Sequence, residues 1–342
     1  MYKVIVFADI YESAPFLNKR DIQEWESQKS IDFLQKTIFS LGYDCIIVEP
    51  HNSKLVVIDC IKSILDNSNV DSPILFNLVE GYGSRNRESY IPALGEFFGI
   101  AYTGSDAYSQ GISLDKNLLK QIVKGLGVPT KHSFLIENIS QIPTNMYYPL
   151  FMKPNGEGSS LGINESSIIR SYRDLETHLP NLLQEFDSVL FEEYLAGDDL
   201  TLGIFGNYPC YEATKVARLT YPSDIYSEEI KSKDSMPEKL FFLMDSKLEK
   251  KIQGDSILIC KKLKVSGYAR LDWKLDKRGN PFFLEINLTP GLSRYYSSLP
   301  ICFESNMGNY LDLIKKILQF GYENYNTNKF FNYGKTKKFE SK

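Results

Sequence analysis

Short β-branched apolar runs alternate with amphipathic stretches over the first third of the chain. "YKVIVFA", "YDCIIVE", "KLVVIDC" and "PILFNLV" read as strands, and "SQKSIDFLQKTIFSLG", with apolar residues at or beside positions 31, 34, 38 and 41, reads as a helix. Strands alternating with helices predict an α/β unit with a parallel sheet over residues 1–112. In "SLDKNLLKQIVKGLGVPT", Ser113 is placed to cap a helix ending at Gly125 or Gly127, with Pro129 as a stop just beyond. A second unit, 113–197, starts there: strand, loop and strand from Tyr147, a helix near Asp174 to Phe186, and "VLFEEYLAG" as a closing strand. A third unit, 198–324, holds strands "DLTLGIFGN" and "PCYEATKVARL", the lidlike polar segment "SDIYSEEIKSKDSMPEK", a helix, a hairpin and the helix "MGNYLDLIKKILQFGY". The aperiodic tail, 325–342, is expected to be loose.

Composition narrows the class. At 342 residues, 43% apolar and 13% aromatic, the chain can build two or three real cores. A formal net charge of −4 gives no global electrostatic case for nucleic acid or an anionic membrane as partner. No window approaches the roughly 18 uninterrupted apolar residues of a membrane span. The start "MYKVIVFADIYES" reads as a strand followed by acids, not as a leader, so a cytoplasmic protein is expected. Cys45, Cys60, Cys210, Cys260 and Cys302 are far apart among apolar neighbours and are expected to be reduced core residues. Three histidines in no ligand pattern argue against a histidine metal centre.

The sharpest geometric signal is "YARLDWKLDKRGNPFFLEINLTPG". A two-residue turn at Arg278-Gly279 sets Lys277 opposite Asn280, and counting outward sets Asp272 opposite Glu285 and Arg270 opposite Asn287. Period two puts all four on one face, with Leu271, Trp273, Leu275, Phe282, Leu284 and Ile286 on the other. Opposed carboxylates about 5 Å apart at Cβ call for positive charge between them. Two carboxylates and an amide oxygen suit Mg²⁺, which completes its shell with phosphate oxygens, and so a nucleotide. The alternative is an exposed face on which Arg270 and Lys274 neutralise the acids.

"PLFMKPNGEGSSLGI" ends a buried strand with Lys153 and continues into a Gly/Ser loop, a pattern in which an ammonium neutralises phosphate while backbone N–H groups and hydroxyls cradle it. Neither GxxxxGK[ST] nor GxGxxG is present. "GSSLG" matches GxSxG, but Ser160 as a nucleophile lacks the helix and the acid–histidine order that a nucleophile elbow needs.

From about Ile74 to Pro300 the chain resembles the D-alanine–D-alanine ligase family of the ATP-grasp superfamily. The blocks that carry the likeness are "FGIAYTGSDAYSQGISLDKNLLKQIVKGLGVPT", "PLFMKPNGEGSSLGI", "LFEEYLAGDDLTLGIFGN" and "ARLDWKLDKRGNPFFLEINLTPGL". The resemblance implies a Rossmann-like N-terminal domain followed by two α+β subdomains that hold ATP between them. It implies ADP-forming ligation: a carboxylate is phosphorylated and an amine attacks the acyl phosphate. By position, Lys116 and Lys153 would contact phosphate, with Glu157, Ser159 and Ser160 in the closing loop. Glu192, Glu193 and Leu195 would line the adenine pocket, and Asp199, where the family carries a glutamate, would hold the ribose. Asp272, Glu285 and Asn287 would hold Mg²⁺, as two ions, with Mn²⁺ as a substitute. Arg270 and the Gly291 backbone would stabilise charge on the reacting carboxylate, and Lys231 would be the mobile-loop lysine. A homodimer is the family habit.

The substrate half departs from this pattern. The family's "GG.S.E" glutamate, which anchors the first amino group, is missing from "FADIYESAPFLNKRD". Its "HG" becomes Glu80-Gly81, its acidic glycine loop becomes "YGSRNRESYIP", and the tyrosine of its mobile "KY" becomes Ser232. Glu80 is then a candidate for a substrate amino group, Arg85 and Arg87 for an extra substrate carboxylate, and Ser297 and Ser298 for further substrate contacts. The expectation is a carboxylate–amine ligase acting on amino acids or small peptides other than a D-alanine pair. A genuine D-alanine–D-alanine ligase and a non-catalytic nucleotide-binding protein are the alternatives.

Overall fold

The computed structural model describes all residues except 1, 15–16, 19–21, 52–53, 67–70, 82, 159, 222–226, 228–238 and 328–342. Ser159, Lys231, Ser232, most of the lidlike segment and nearly all of the tail therefore lie outside the described residues.

Strands β1 (Tyr2–Ala8), β2 (Asp44–Val48), β3 (Asp71–Leu78) and β4 (Ala101–Tyr102) form a parallel sheet in the order β2-β1-β3-β4. Helices α1 (Gln28–Ser40), α2 (Lys54–Asp66) and α3 (Tyr90–Phe98) make the crossovers. Alternation along β1 sends Val4, Val6 and Ala8 into one core with Ile31, Leu34 and Ile38 of α1, and Ile5 and Phe7 into another with Val57 and Ile61 of α2. The expected strand "KLVVIDC" is thus the start of α2. A short apolar run does not separate strand from buried helix, and the spacing 57, 61, 64 that continues it is helical.

The second sheet is antiparallel, in the order β5-β8-β6-β7, from β5 (Ser133–Ile136), β6 (Leu150–Pro154), β7 (Ile168–Ile169) and β8 (Val189–Glu193). Helix α6 (Tyr172–Glu185), capped by Ser171, covers it through Leu175 and Leu179. The third sheet runs β12-β11-β9-β13-β14, with β10 also on β9. Its strands are β9 (Asp199–Asn207), β10 (Cys210–Ala213), β11 (Ala217–Thr220), β12 (Lys239–Phe242), β13 (Ser266–Leu275) and β14 (Pro281–Asn287). "PCYEATKVARL" is two strands rather than one, β10 and β11.

Before the second sheet come α4 (Ala107–Leu114) and α5 (Lys116–Gly125). Asp115, not Ser113, caps α5: its carboxylate accepts from Leu118 N–H, while Ser113 lies inside α4 and donates to the Gln110 carbonyl. Leu119 and Val123 of α5 join Ile252 and Ile259 of α7 (Ser246–Leu263) in the core of the third sheet. Two helices follow, α8 (Ser298–Glu304), which was not foreseen, and α9 (Tyr310–Thr327), which runs past the expected end of order. Leu313, Ile314 and Ile317 of α9 pack with Val4 and Ile74 of the first sheet and with Tyr268 of β13. Cys45, Cys260 and Cys302 are buried as expected, but Cys60 is only half-buried and Cys210 is exposed. Among the described residues no helix is long and apolar enough to cross a membrane.

Candidate active site

Lys153, next to last in β6, has its side chain inside the protein, only 5% exposed. A buried ammonium needs a counter-ion, and Glu192 of β8 supplies it, with Oε1 at 2.9 Å from Lys153 Nζ. The same oxygen lies 3.2 Å from Nζ of Lys120, a residue of α5 that donates also to Thr130 Oγ1. Burial would raise the Glu192 carboxyl, but the two lysines hold it below its ordinary value. Burial lowers Lys120, with Glu192 opposing. For Lys153 burial pulls the same way, yet Glu192 and then Glu285 raise it overall. Two ammonium groups on one carboxylate leave a formal surplus of one positive charge. Lys120 was not foreseen, although it stands one turn from Lys116 on α5.

Lys116 opens α5 and is lashed to the loop that follows β6. Asn155 donates from Nδ2 to Asp115 Oδ1 at 3.0 Å and accepts at Oδ1 from Asn117 N–H at 2.9 Å. Lys116 Nζ donates to the Glu157 carbonyl and stands 3.6 Å from Glu285 Oε2. Ser160 sits at φ 57° inside the turns Leu161 N–H to Gly158 O and Ile163 N–H to Ser160 O. The 3-10 turn Glu165–Ser167 comes next, so the serine is in a loop and not at a strand-to-helix elbow.

On the facing hairpin Asp272 pairs with Glu285 and Arg270 with Asn287, as expected. The turn is different. Asp276 N–H donates to Asn280 O, so the tip closes one residue earlier than counted, and the register is restored by a bulge at Leu284. Phe283, not Phe282 or Leu284, therefore fills the core, with its ring 5.7 Å from that of Trp273 and edge-on to it. Phe282 lies under Lys131 instead. Arg270 grips Asp272 through Nη2 at 2.9 Å and Nε at 3.2 Å, and Thr201 Oγ1 donates to Asp272 Oδ1 at 2.7 Å. Lys274 turns away from these acids to Asp199 Oδ2, at 2.6 Å, where Tyr221 OH also donates. Glu193 is half exposed and pairs with Lys131 at 2.9 Å, and Leu195 is buried. Among the described residues no three His, Cys, Asp or Glu side chains gather as a metal cluster. The oxygen set of Asp272, Glu285 and Asn287 fits a hard cation whose remaining ligands come from elsewhere.

Beside Lys116 and Glu285 opens a cavity lined by Glu24, Glu80, Glu88 and Thr289. Burial, then Glu24, Glu88 and Glu26, push the Glu80 carboxyl well above the carboxylate range. Burial pushes Glu88 up to about 8 against the pull of Arg87. The two arginines expected to share a substrate carboxylate are not brought together. Arg85 is exposed, while Arg87 is buried and donates from Nη2 to Gly156 O at 3.1 Å, with Glu157 Oε2 at 3.3 Å. Arg87 is thereby tied to the loop after β6. Glu24, of "QEWES", lies against Gly158, where a Cβ would fall 1.8 Å from its Oε1. Ser297 closes onto Gly291, and Ser298 is buried at the start of α8.

The model for the family described as D-ala D-ala ligase C-terminus matches residues 125–319. The D-alanine–D-alanine ligase of Aquifex aeolicus (strain VF5) is 33% identical over 239 residues, covering 69% of this chain and 79% of that protein. The ligase of the same name from Prochlorococcus marinus (strain MIT 9312) is 29% identical over 276 residues, 74% of this chain and 73% of that one. In fold the chain is similar to the D-alanine–D-alanine ligase of Bacillus anthracis complexed with ATP, with a TM-score of 0.73 at 20% identity over 95% of this chain and 98% of that one. It is likewise similar to the VanG D-Ala:D-Ser ligase of Enterococcus faecalis, with a TM-score of 0.70 at 18% identity over 94% and 99%. Fold and matched sequence agree, and the chain belongs to the D-alanine–D-alanine ligase family, the ATP-dependent, ADP-forming ligases of the ATP-grasp fold.

Proposed function

We propose that this ligase joins the carboxylate of one amino acid or small peptide to the amine of another, with a pair other than two D-alanines as its substrates. The observation that carries the reading is Lys116, whose ammonium reaches both the carbonyl of the loop after β6 and Glu285 of the hairpin. Cations suited to phosphate and acids suited to a metal thus meet in one cleft. ATP supplies the phosphoryl group that activates the carboxylate, and Mg²⁺ on Asp272, Glu285 and Asn287 would screen its charge. Lys116 and Lys153 bind phosphate oxygens as point charges in a site sheltered from water. Arg270, held in one orientation by Asp272, and the Gly291 backbone N–H stabilise charge on the reacting carboxylate. Glu80 and Glu24 receive the substrate ammonium, a role the acid-lined cavity supports better than an anionic one.

The test is phosphate release from Mg-ATP over a panel of D- and L-amino acids and dipeptides, with the carboxylate labelled by oxygen-18. Label in the released phosphate, and ADP formed only with both substrates, is the expected result. Turnover best with D-alanine alone would make it a genuine D-alanine–D-alanine ligase. ATP binding without turnover on any member of the panel would make it a nucleotide-binding protein.

A further inference from the structure

The carboxyl ends of three neighbouring strands deliver one residue each to a buried row. In the sheet order β2-β1-β3, Asp9 follows the last residue of β1, while His51 and Gly81 lie three positions past the ends of β2 and β3. Such strand ends are where parallel sheets gather ligands and the groups that serve them. The His51 side chain is 3% exposed and that of Asp9 2%. Nδ1 of His51 stands 3.4 Å from Asp9 Oδ1, and its Nε2 stands 3.7 Å from Glu49 Oε2. Among the described residues neither ring nitrogen makes an aligned hydrogen bond. A polar ring buried in this way costs free energy, and what it supports is found in two of its neighbours, Asp9 and Trp25.

Asp9 turns its other oxygen to the third strand end, where Oδ2 accepts from Gly81 N–H at 2.8 Å. Trp25 packs its ring against His51, with centroids 4.6 Å apart, and its Nε1 donates to the Gly81 carbonyl at 3.2 Å. One glycine is thus held at both ends of its backbone, by two side chains that rest on the same histidine. Gly81 sits at φ 62°, and a Cβ there would fall 2.8 Å from Cβ of Arg87, so the clamp closes on a position that only glycine fills without strain. The N–H that Asp9 holds belongs to the planar peptide shared by Glu80 and Gly81. Fixing that plane fixes the backbone from which Glu80 projects into the cavity it lines with Glu24, Glu88 and Thr289.

We propose that His51 is a positioning residue for the substrate-ammonium site: it backs Asp9 and Trp25, which hold the two ends of Gly81 and so aim Glu80. The inference rests on the proposed role of Glu80, and Glu80→Gln tests that role by itself, with a raised KM for the amine-bearing substrate expected. Misplacing a group by about 1 Å costs on the order of 100-fold, and a residue acting at one remove is expected to cost about tenfold. His51→Ala should therefore raise the KM for that substrate about tenfold and leave the KM for ATP within about twofold. It should also quicken amide hydrogen exchange at Gly81 about tenfold while the amides of β1 exchange as in the parent, a readout that needs no substrate. His51→Phe keeps a ring for Trp25, and His51→Asn keeps a nitrogen for Asp9. Each should show about a threefold change in both quantities, and these two variants decide the matter if His51→Ala does not fold. Parent-like exchange at Gly81 in all three variants overturns the support. Quickened exchange with an unchanged KM for the amine-bearing substrate, where Glu80→Gln raises it, overturns the link to the substrate. A KM for ATP raised as much as that for the amine makes His51 a general scaffold residue and overturns the positioning role. If Glu80→Gln itself leaves the amine KM unchanged, the reading of Glu80 fails and the inference falls with it.

Discussion

Changing the charge count around Glu192 distinguishes two roles for that residue. With Lys120 and Lys153 on one carboxylate, the formal charge is +1; Lys120→Met makes it zero, Glu192→Gln makes it +2, and the double variant returns it to +1. A unit charge about 6 Å from a phosphate contributes roughly 3 kcal/mol at an effective dielectric of about 20, and solvent reduces this, so each unit should change ATP affinity about 10- to 100-fold. Lys120→Met is expected to weaken ATP binding by that factor, Glu192→Gln to tighten it, and the double variant to fall near the parent. Stability follows a different order. Removing one partner of a buried pair typically costs about 3–5 kcal/mol, and because Lys153 remains on Glu192, about 2–3 kcal/mol is expected for Lys120→Met. Glu192→Gln leaves two buried ammonium groups facing an amide and should be the least stable of the three. Nucleotide titration and urea denaturation of the four proteins give both orders. If Glu192→Gln loosens ATP and the double variant is worse still, Glu192 recognises adenine directly, as the resemblance implied, and the charge count is wrong.

Asp272→Asn and Glu285→Gln should each abolish metal-dependent ATP consumption, and each should lower apo stability by about 1–3 kcal/mol in denaturant, the first by giving up the grip of Arg270 and the second by weakening the contact to Lys116. Glu88, raised to about 8, holds a proton in the folded chain that the unfolded chain releases near the ordinary carboxyl value. Its contribution is complete below about pH 4 and is lost as pH rises through about 8. Glu88→Gln should therefore flatten the fall in stability between pH 5 and 8 by about 1–3 kcal/mol, and an unchanged slope would mean the proton is elsewhere. Arg87→Met frees Gly156 and Glu157 and should raise the KM for ATP about tenfold while leaving that for the amino acid within twofold; the reverse pattern would restore Arg87 to the substrate.

Residues placed by local periodicity were legible in the sequence, and those placed by distant folding were not. The period of two along β13 and β14 gave the opposition of Asp272 to Glu285 even though the turn was miscounted, because the bulge at Leu284 offsets the error before the acids are reached. Lys153 was marked by standing at the end of an apolar run. Glu24 and Glu26 carry no such mark: they precede α1 in a polar stretch, and only the docking of that stretch on the Gly158 and Leu292 loops brings them to the cleft. The pairing of Arg85 with Arg87 failed for the opposite reason. Adjacency in the chain says little about direction in a loop that turns into a 3-10 helix at Arg87.

The position of α9 bears on how the chain is made. One face of the parallel sheet is covered by α2 and α3, which leave the ribosome soon after the strands they cover. The other needs Leu313, Ile314 and Ile317 from the last helix as well as α1. Until α9 has been made, part of the apolar surface of Val4, Val6, Ile74 and Phe76 has nothing to close over it. The unit that holds β1 to β4 is closed only by α9, and a fragment covering residues 1–112 should be prone to aggregate.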